Sequence, residues 1–261
     1  MSTSKGNALL TTIRDLARRR GRARRGLALA EGVRLVEEAL AAGVPVRGAA
    51  VSSALEATPR GSALKSALAS RALPLVEVTP GELDALADTE QPQGIVAVIE
   101  PRGWTLDDIP ASAGAVVLVL DAVQDPGNVG TMLRTALALG ASGVVALKGT
   151  AELTNPKVLR SSMGASFRLP AAAVDVEAFI AWASARGVEL VVAAADGAPV
   201  ERRRRRPAPI ALVVGNEGAG VSAALAAAAA RRIAIPLGPA VESLNVAVAA
   251  GILLYEVTRD A

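Results

Sequence analysis

Apolar residues fall into two patterns along this chain: short continuous runs, and stretches in which they recur every three or four positions. The first pattern predicts buried strands and the second predicts helices with one apolar face. Val33, Val36 and Leu40 recur at helical spacing over 31–40, and Gly43 marks the stop. Strands are then expected at 48–51, 73–78 and 94–99, with helices at 61–70 and 80–87 between them. Residues 101–114 hold two prolines, two glycines and the adjacent Asp107 and Asp108, which predicts a linker.

Beyond the linker the alternation restarts more strongly. Strands are expected at 115–120, 143–147, 190–193, 210–214 and 232–235, and helices at 129–139, 156–163, 221–230 and 245–257. Thr154 or Asn155 opens the second of these helices, with Pro156 in its first turn, where a missing N–H does no harm. Another helix starts from Asp175 as its cap, runs through Ala185 and stops at Gly187. The fold class is α/β: a mostly parallel sheet with helices on both faces, preceded by a smaller α/β unit. The expected organisation is an arm over 1–30, a first domain over 31–100, the linker, and a second domain over 115–261.

Composition sharpens this picture. Hydrophobic residues make up 51% of the chain but aromatics only 2%, so the core must be Ala, Val, Leu and Ile, as buried parallel strands require. The chain has no cysteine and no histidine. Zinc sites of the Cys/His kind, thiolate nucleophiles, imidazole bases and disulfides are thereby excluded. No apolar stretch is long enough to span a bilayer, and a soluble cytoplasmic protein is expected.

Charge is unevenly spread. The first thirty residues carry eight Lys/Arg against the single Asp15, a charge of +7, which leaves −4 for the rest of a chain whose total is +3. A second basic knot lies at Arg202–Arg206. A basic arm on a mildly acidic body is a footprint for nucleic acid, and Arg18, Arg19, Arg20, Arg22, Arg24 and Arg25 are its candidate contacts.

Three segments carry candidate chemistry. In the first, Asp121 to Arg134, a strand ends in a turn rich in Asp, Pro and Gly and a helix begins. Asn128 is the candidate cap of that helix, and Arg134 can either reach a phosphate bidentately or pair with an acid such as Asp125. In the second, Gly215, Gly218 and Gly220 form a glycine-rich turn after a strand, with Glu217 at its tip, where a carboxylate repels pyrophosphate but tolerates a neutral nucleoside or a sulfonium. In the third, a loop after 232–235 supplies Glu242, Ser243 and Asn245, and Ser243 or Asn245 can cap the apolar helix that follows. Three polar loops at strand ends of one sheet suit a ligand site.

The order Asn128-x-Gly130-x-x-x-Arg134, Gly215-Asn216-Glu217-Gly218, Ser243-Leu244-Asn245 resembles the three motifs of the SpoU (TrmH) family of RNA 2′-O-ribose methyltransferases, within the SPOUT superfamily. Arg160-Ser-Ser-Met-Gly-Ala-Ser-Phe-Arg-Leu-Pro170 resembles that family's middle segment, and the basic arm with Glu31-Gly-Val-Arg34 resembles the ribosomal-protein-like substrate-binding domain many members carry. The resemblance implies a trefoil knot in the C-terminal domain and a homodimer with the active site near the subunit interface. It implies S-adenosyl-L-methionine as cofactor, held by the loops at Gly215, Asn216, Gly218, Ile235, Leu237 and Leu244, and it implies no metal. Arg134 matches the catalytic arginine, and Asn128, Glu217, Ser243 and Asn245 match the other polar motif residues. Ala247 stands where many members have serine.

On that resemblance, Arg134 would activate a ribose hydroxyl near its phosphate while Asn128, Ser243 and Asn245 position the ribose. The expected substrate is structured RNA, ribosomal (23S) in preference to transfer RNA. An RNA-binding protein that keeps the fold without catalysis is the alternative. A nicotinamide-dependent oxidoreductase is disfavoured by the glycine spacing and by Glu217.

Overall fold

The structure, a computed structural model, describes residues 3–89, 91–200 and 208–258. The Arg202–Arg206 run lies outside the described residues. The chain divides into two compact units, 1–102 with 154–167 and 103–153 with 168–261.

The first unit begins with α1 (Thr3–Leu16) and α2 (Arg19–Arg25), then β1 (Ala28–Glu31), α3 (Val33–Ala41), β2 (Val46–Val51), α4 (Pro59–Ser70), β3 (Leu75–Glu77), α5 (Pro80–Asp84) and β4 (Ile95–Ile99). Its sheet has the order β1-β4-β2-β3, antiparallel except for the β2–β3 pair. Alternate residues serve two cores. Ile95, Ala97 and Ile99 face one that includes Val36, Leu64 and Leu68. Val96 and Val98 face another, built on Ile13, Leu16, Leu29 and Leu83.

The basic arm is thus folded. Leu9, Leu10, Ile13 and Leu16 form an apolar helical stripe, and Ile13 and Leu16 are fully buried. Its arginines differ in role. Arg22 is 5% exposed, and its Nη1 donates to the carbonyls of Leu16 (2.9 Å) and Ala17 (3.1 Å). The guanidinium thereby satisfies carbonyls that the end of α1 leaves open. Its expected place among the RNA contacts is corrected: the side chain is buried and Nη1 is spent inside the fold. Arg24 and Arg25 both bind Asp15, and those two groups, Arg25 foremost, hold the Asp15 carboxyl below its usual range.

The second unit contains β5 (Val116–Leu120), α6 (Pro126–Ala138) and β6 (Gly143–Leu147). The chain then contributes α7 (Pro156–Ser162) and the short turn Ala165–Phe167 to the first unit, where Leu159 and Phe167 join the core. Within that unit buried Glu31 accepts the Asp88 and Thr89 N–H groups (2.8 and 3.2 Å), and Arg160 stands 3.8 Å from Glu31 and 3.2 Å from Asp88. The second unit resumes with β7 (Ala171–Val174), α8 (Val176–Ala185), β8 (Glu189–Pro199), β9 (Ile210–Val214), α9 (Ala223–Ala228), β10 (Arg231–Ala234) and α10 (Val246–Thr258). Its six strands are all parallel, in the order β10-β8-β9-β5-β6-β7.

One face of this sheet is covered by α8, whose Phe179, Trp182 and Ala183 pack on Val117, Val119, Val145 and Leu147. Helices α6 and α10 pack together, and α10 also lies against β5 and β9. Strand order reverses beside β5: the chain runs outward through β6 and β7, then returns to β5's other side with β9. Such a reversal opens a crevice at the carboxyl ends of the two central strands. No helix among the described residues is long and apolar enough to cross a membrane.

The buried stripe of α1 yields a prediction. Leu16→Ala is expected to lower the unfolding free energy by about 2–5 kcal/mol, measured by urea denaturation. A change near zero would mean that the arm does not pack.

Candidate active site

The crevice beside β5 is built from three loops. The first follows β5. Pro126 sets the helical φ of the first turn of α6, so the residue before it takes the cap position: the Asp125 carboxylate accepts the Asn128 N–H at 2.9 Å. Asn128 is therefore not the cap expected from the sequence. It lies within the first turn, where its side chain is free to point across the crevice.

The second loop follows β9. Gly215 has no room for a side chain: a Cβ there would stand 2.2 Å from the Gly220 carbonyl carbon. This close approach lets Asn216 and Gly220 exchange backbone hydrogen bonds of 3.0 and 2.9 Å. The Asn216 side chain braces the loop, its Oδ1 accepting the N–H groups of Gly218 (2.9 Å) and Ala219 (3.1 Å) within it and its Nδ2 donating to the Ala122 carbonyl (3.0 Å) after β5. Glu217 is left at the tip.

The third loop follows β10 and ends at Asn245, whose Oδ1 accepts the Ala247 and Val248 N–H groups (2.9 and 3.3 Å) and so caps α10. Asn245, not Ser243, is the cap. Ala247 is buried beneath it.

Three motif residues close into one chain of hydrogen bonds. Asn128 Nδ2 donates to the Glu217 carboxylate, and Asn245 Nδ2 donates to Asn128 Oδ1 at 3.1 Å. The order of donors is settled by chemistry. A carboxylate only accepts, so it takes the amide's NH2 end, and the Asn128 carbonyl end is then left for Asn245.

Beside this chain lies a cleft of about 240 Å³. Gly215, Asn216, Glu217, Ile235, Leu237, Ser243 and Leu244, all expected from the sequence, line it. Gly218 is on the same loop but does not line the cleft, and Asn128 and Asn245 adjoin it through Glu217. Sequence reasoning missed Ala193, Ala194 and Ala195, the wall supplied by β8. An alanine run carries no chemical signal, and only its position at a strand end could have drawn notice. Glu242 is a lining residue as well.

Arg134 is placed elsewhere. It lies exposed on α6, does not line the cleft, and has no hydrogen bond or ion pair among the described residues. The pairing with Asp125 considered from the sequence does not form. Of the basic arm, Arg18, Arg19 and Arg20 are exposed.

The cleft's chemistry selects its ligand. Among the described residues its walls are Ala, Val, Ile and Leu, its charged lining residues are Glu217 and Glu242, and no Lys or Arg lines it. Pyrophosphate finds no counter-charge among them. A nucleoside bearing a cationic sulfonium and an ammonium fits both the apolar walls and the carboxylates.

Comparison with known proteins agrees. Residues 115–255 match the model of the SpoU rRNA methylase family, and residues 7–97 match the MRM3-like substrate binding domain. An uncharacterised tRNA/rRNA methyltransferase of Synechocystis is 33% identical over 99% of this chain and 93% of its own length. The Bacillus subtilis 23S rRNA (guanosine(2553)-2′-O)-methyltransferase RlmP is 42% identical over 66% of this chain and 67% of its own. Among solved structures, the Streptomyces viridochromogenes SpoU methyltransferase AviRb in complex with the cofactor AdoMet superposes with a TM-score of 0.84 at 30% identity, covering 96% of this chain and 97% of that one. An AdoMet-bound rRNA methyltransferase from Sinorhizobium meliloti gives 0.84 at 31%, covering 98% and 96%. The chain belongs to the SpoU methylase family and is an RNA methyltransferase that uses S-adenosylmethionine.

Proposed function

We propose that this protein methylates a ribose 2′-hydroxyl in structured RNA, with 23S ribosomal RNA as the substrate. The observation that carries the reading is the Glu217–Asn128–Asn245 chain, which joins three loops beside a cleft suited to a cationic nucleoside. The activity named for RlmP, a 23S rRNA guanosine 2′-O-methyltransferase, supports the choice of atom and of RNA.

Bound S-adenosylmethionine supplies an electrophilic methyl group. The protein's residues present the hydroxyl. Asn128 and Asn245, their amides held in fixed orientations, and Ser243 at the cleft position the ribose. Arg134, with no partner among the described residues, is available to a phosphate and stabilises negative charge developing on the 2′-oxygen. Positioning of this kind is worth up to ~7–11 kcal/mol in well-oriented reactions. Arg18, Arg19 and Arg20 add sequence-independent contacts to RNA phosphates.

The protein acts as a homodimer in this reading. Val248, Ile252 and Tyr255 expose one apolar face of α10, and Leu137 is exposed on the helix packed against it. Arg134 and Leu137 lie one turn apart on the exposed face of α6, so pairing through this face brings Arg134 to the subunit interface.

The central test maps 2′-O-methyl sites in total RNA from cells with and without the gene. One 23S position losing its mark supports the proposal, and an unchanged map counts against it. Arg134→Ala is expected to bind S-adenosylmethionine normally and lose methyl transfer, and near-full activity would remove Arg134 from the chemistry. Asn128→Asp sets a second carboxylate against Glu217 and is expected to cut turnover by about tenfold or more. Glu217→Gln keeps an acceptor for Asn128 but removes a carboxylate from the cleft, and is expected to raise the KM for S-adenosylmethionine while leaving kcat largely intact in the same assay. Ile252→Glu is expected to give a monomer by sedimentation, and an unchanged mass would place any interface elsewhere.

A further inference from the structure

The cofactor loop leaves β9 at Gly215 and enters α9 after Ser222, and both of its ends are gripped by two consecutive residues of another strand's end. Asp121 immediately follows β5 and is 4% exposed. Its Oδ2 accepts the Ser222 N–H at 2.6 Å, and its own N–H donates to the Val214 carbonyl at 2.9 Å. Ala122, next in the chain, has a φ of +56°, a left-handed conformation that an alanine adopts under strain. Its carbonyl receives Asn216 Nδ2 at 3.0 Å. The entrance of the loop is thus held by the Ala122 carbonyl and the exit by the Asp121 carboxylate.

The Asp121 carboxylate is unusual for its place. It is buried at the end of a fully apolar strand and has no ion pair among the described residues. A buried carboxylate is costly unless hydrogen bonds compensate it, so an apolar residue would serve packing better. The only hydrogen-bond partner described for its side chain is the loop's backbone. Between the two grips the loop is closed on itself by the Asn216–Gly220 pair. Its position relative to the sheet is therefore set from the end of β5.

The geometry points to Asp121 as a positioning residue for S-adenosylmethionine, acting through the Ser222 N–H to set where Gly215, Asn216 and Glu217 stand along the cleft. It does not line the cleft and touches no ligand there. The inference rests on the assignment of this cleft to the cofactor. The end of β5, the turn after it and the first turn of α6 then hold the loop at three points: Asp121 at Ser222, Ala122 at Asn216, and Asn128 at Glu217.

The test is S-adenosylmethionine binding by calorimetry on the full chain, with thermal unfolding measured alongside. Asp121→Ala is expected to weaken binding by about tenfold or more, the scale of a lost buried hydrogen bond to a charged group. Asp121→Asn keeps an oxygen for the Ser222 N–H and is expected to restore near-normal affinity. Ser222→Pro removes the donor at a φ of −60° that proline keeps. It is expected to reproduce the Asp121→Ala loss, without adding to it in the double variant, and it serves if Asp121→Ala fails to fold. Val119→Ala, a cavity in β5 away from the loop, is the control: a lower unfolding midpoint with unchanged affinity. Normal binding by Asp121→Ala, or affinity falling in step with unfolding midpoint across all variants including Val119→Ala, overturns the inference. Failure of the unaltered protein to bind S-adenosylmethionine overturns the cleft assignment instead.

Discussion

The candidate site depends on one side-chain amide. Asn128 is the only residue that joins the other two in the hydrogen-bonded chain, donating to Glu217 and accepting from Asn245. Glu217 is 89 positions away in sequence and Asn245 is 117. An amide suits the task because its two ends differ: one only donates and the other only accepts. A carboxylate on one side and an amide donor on the other leave it a single orientation. Replacing it by a hydroxyl would lose the second arm, and replacing it by a carboxylate would set two like charges together. The requirement for asparagine thus follows from what stands on either side of it.

Burial and backbone geometry bring those partners within reach. Gly215 must lack a side chain for the second loop to close, Pro126 must start α6 for Asp125 to relieve Asn128 of capping, and Asn245 must cap α10 with its carbonyl oxygen to keep its NH2 free. In the second and third loops one side-chain amide meets both a local turn requirement and a link to another loop. Asn245 and Asn216 each spend the carbonyl end on N–H groups of their own segment and the NH2 end on a neighbouring loop.

Much of this was legible in the sequence, for identifiable reasons. The strands of the second unit stood out because parallel strands buried on both faces are continuous Val/Ile/Leu runs, as in β5, β6 and β9. Strand β7 (Ala171–Val174) was invisible because alanine has little strand preference, and pairing with β6 makes it a strand. Helix α1 was obscured by the basic cluster that follows it: the arginines of α2 mask the Leu9–Leu16 stripe in the charge pattern. Among the cleft residues, Gly215, Glu217 and Ser243 were legible as glycines and polar residues at strand ends, whereas Ile235, Leu237 and Leu244 came from the family resemblance. The bonds among them were not, since no spacing rule relates positions about a hundred residues apart. The Asp121 grip gave no signal for the same reason, and the Ala193–Ala195 wall gave none because alanine carries no chemistry.

The assignment of Thr154–Phe167 to the first unit bears on how the two units divide their tasks. Arg160, in the segment resembling the family's middle region, stands near Glu31 and Asp88, and Glu31 opens the segment resembling the substrate-binding domain. Two stretches with separate sequence resemblances therefore meet in one cluster of the first unit. Neither contributes to the cleft, which is built wholly from the second unit. Charge follows the same division. The exposed Arg18, Arg19 and Arg20 belong to the first unit, while Glu217 and Glu242 face the cleft in the second. Exposed guanidinium groups attract a polyanion and carboxylates attract a cation, so the proposed RNA and cofactor sites carry opposite charge in different units of the chain.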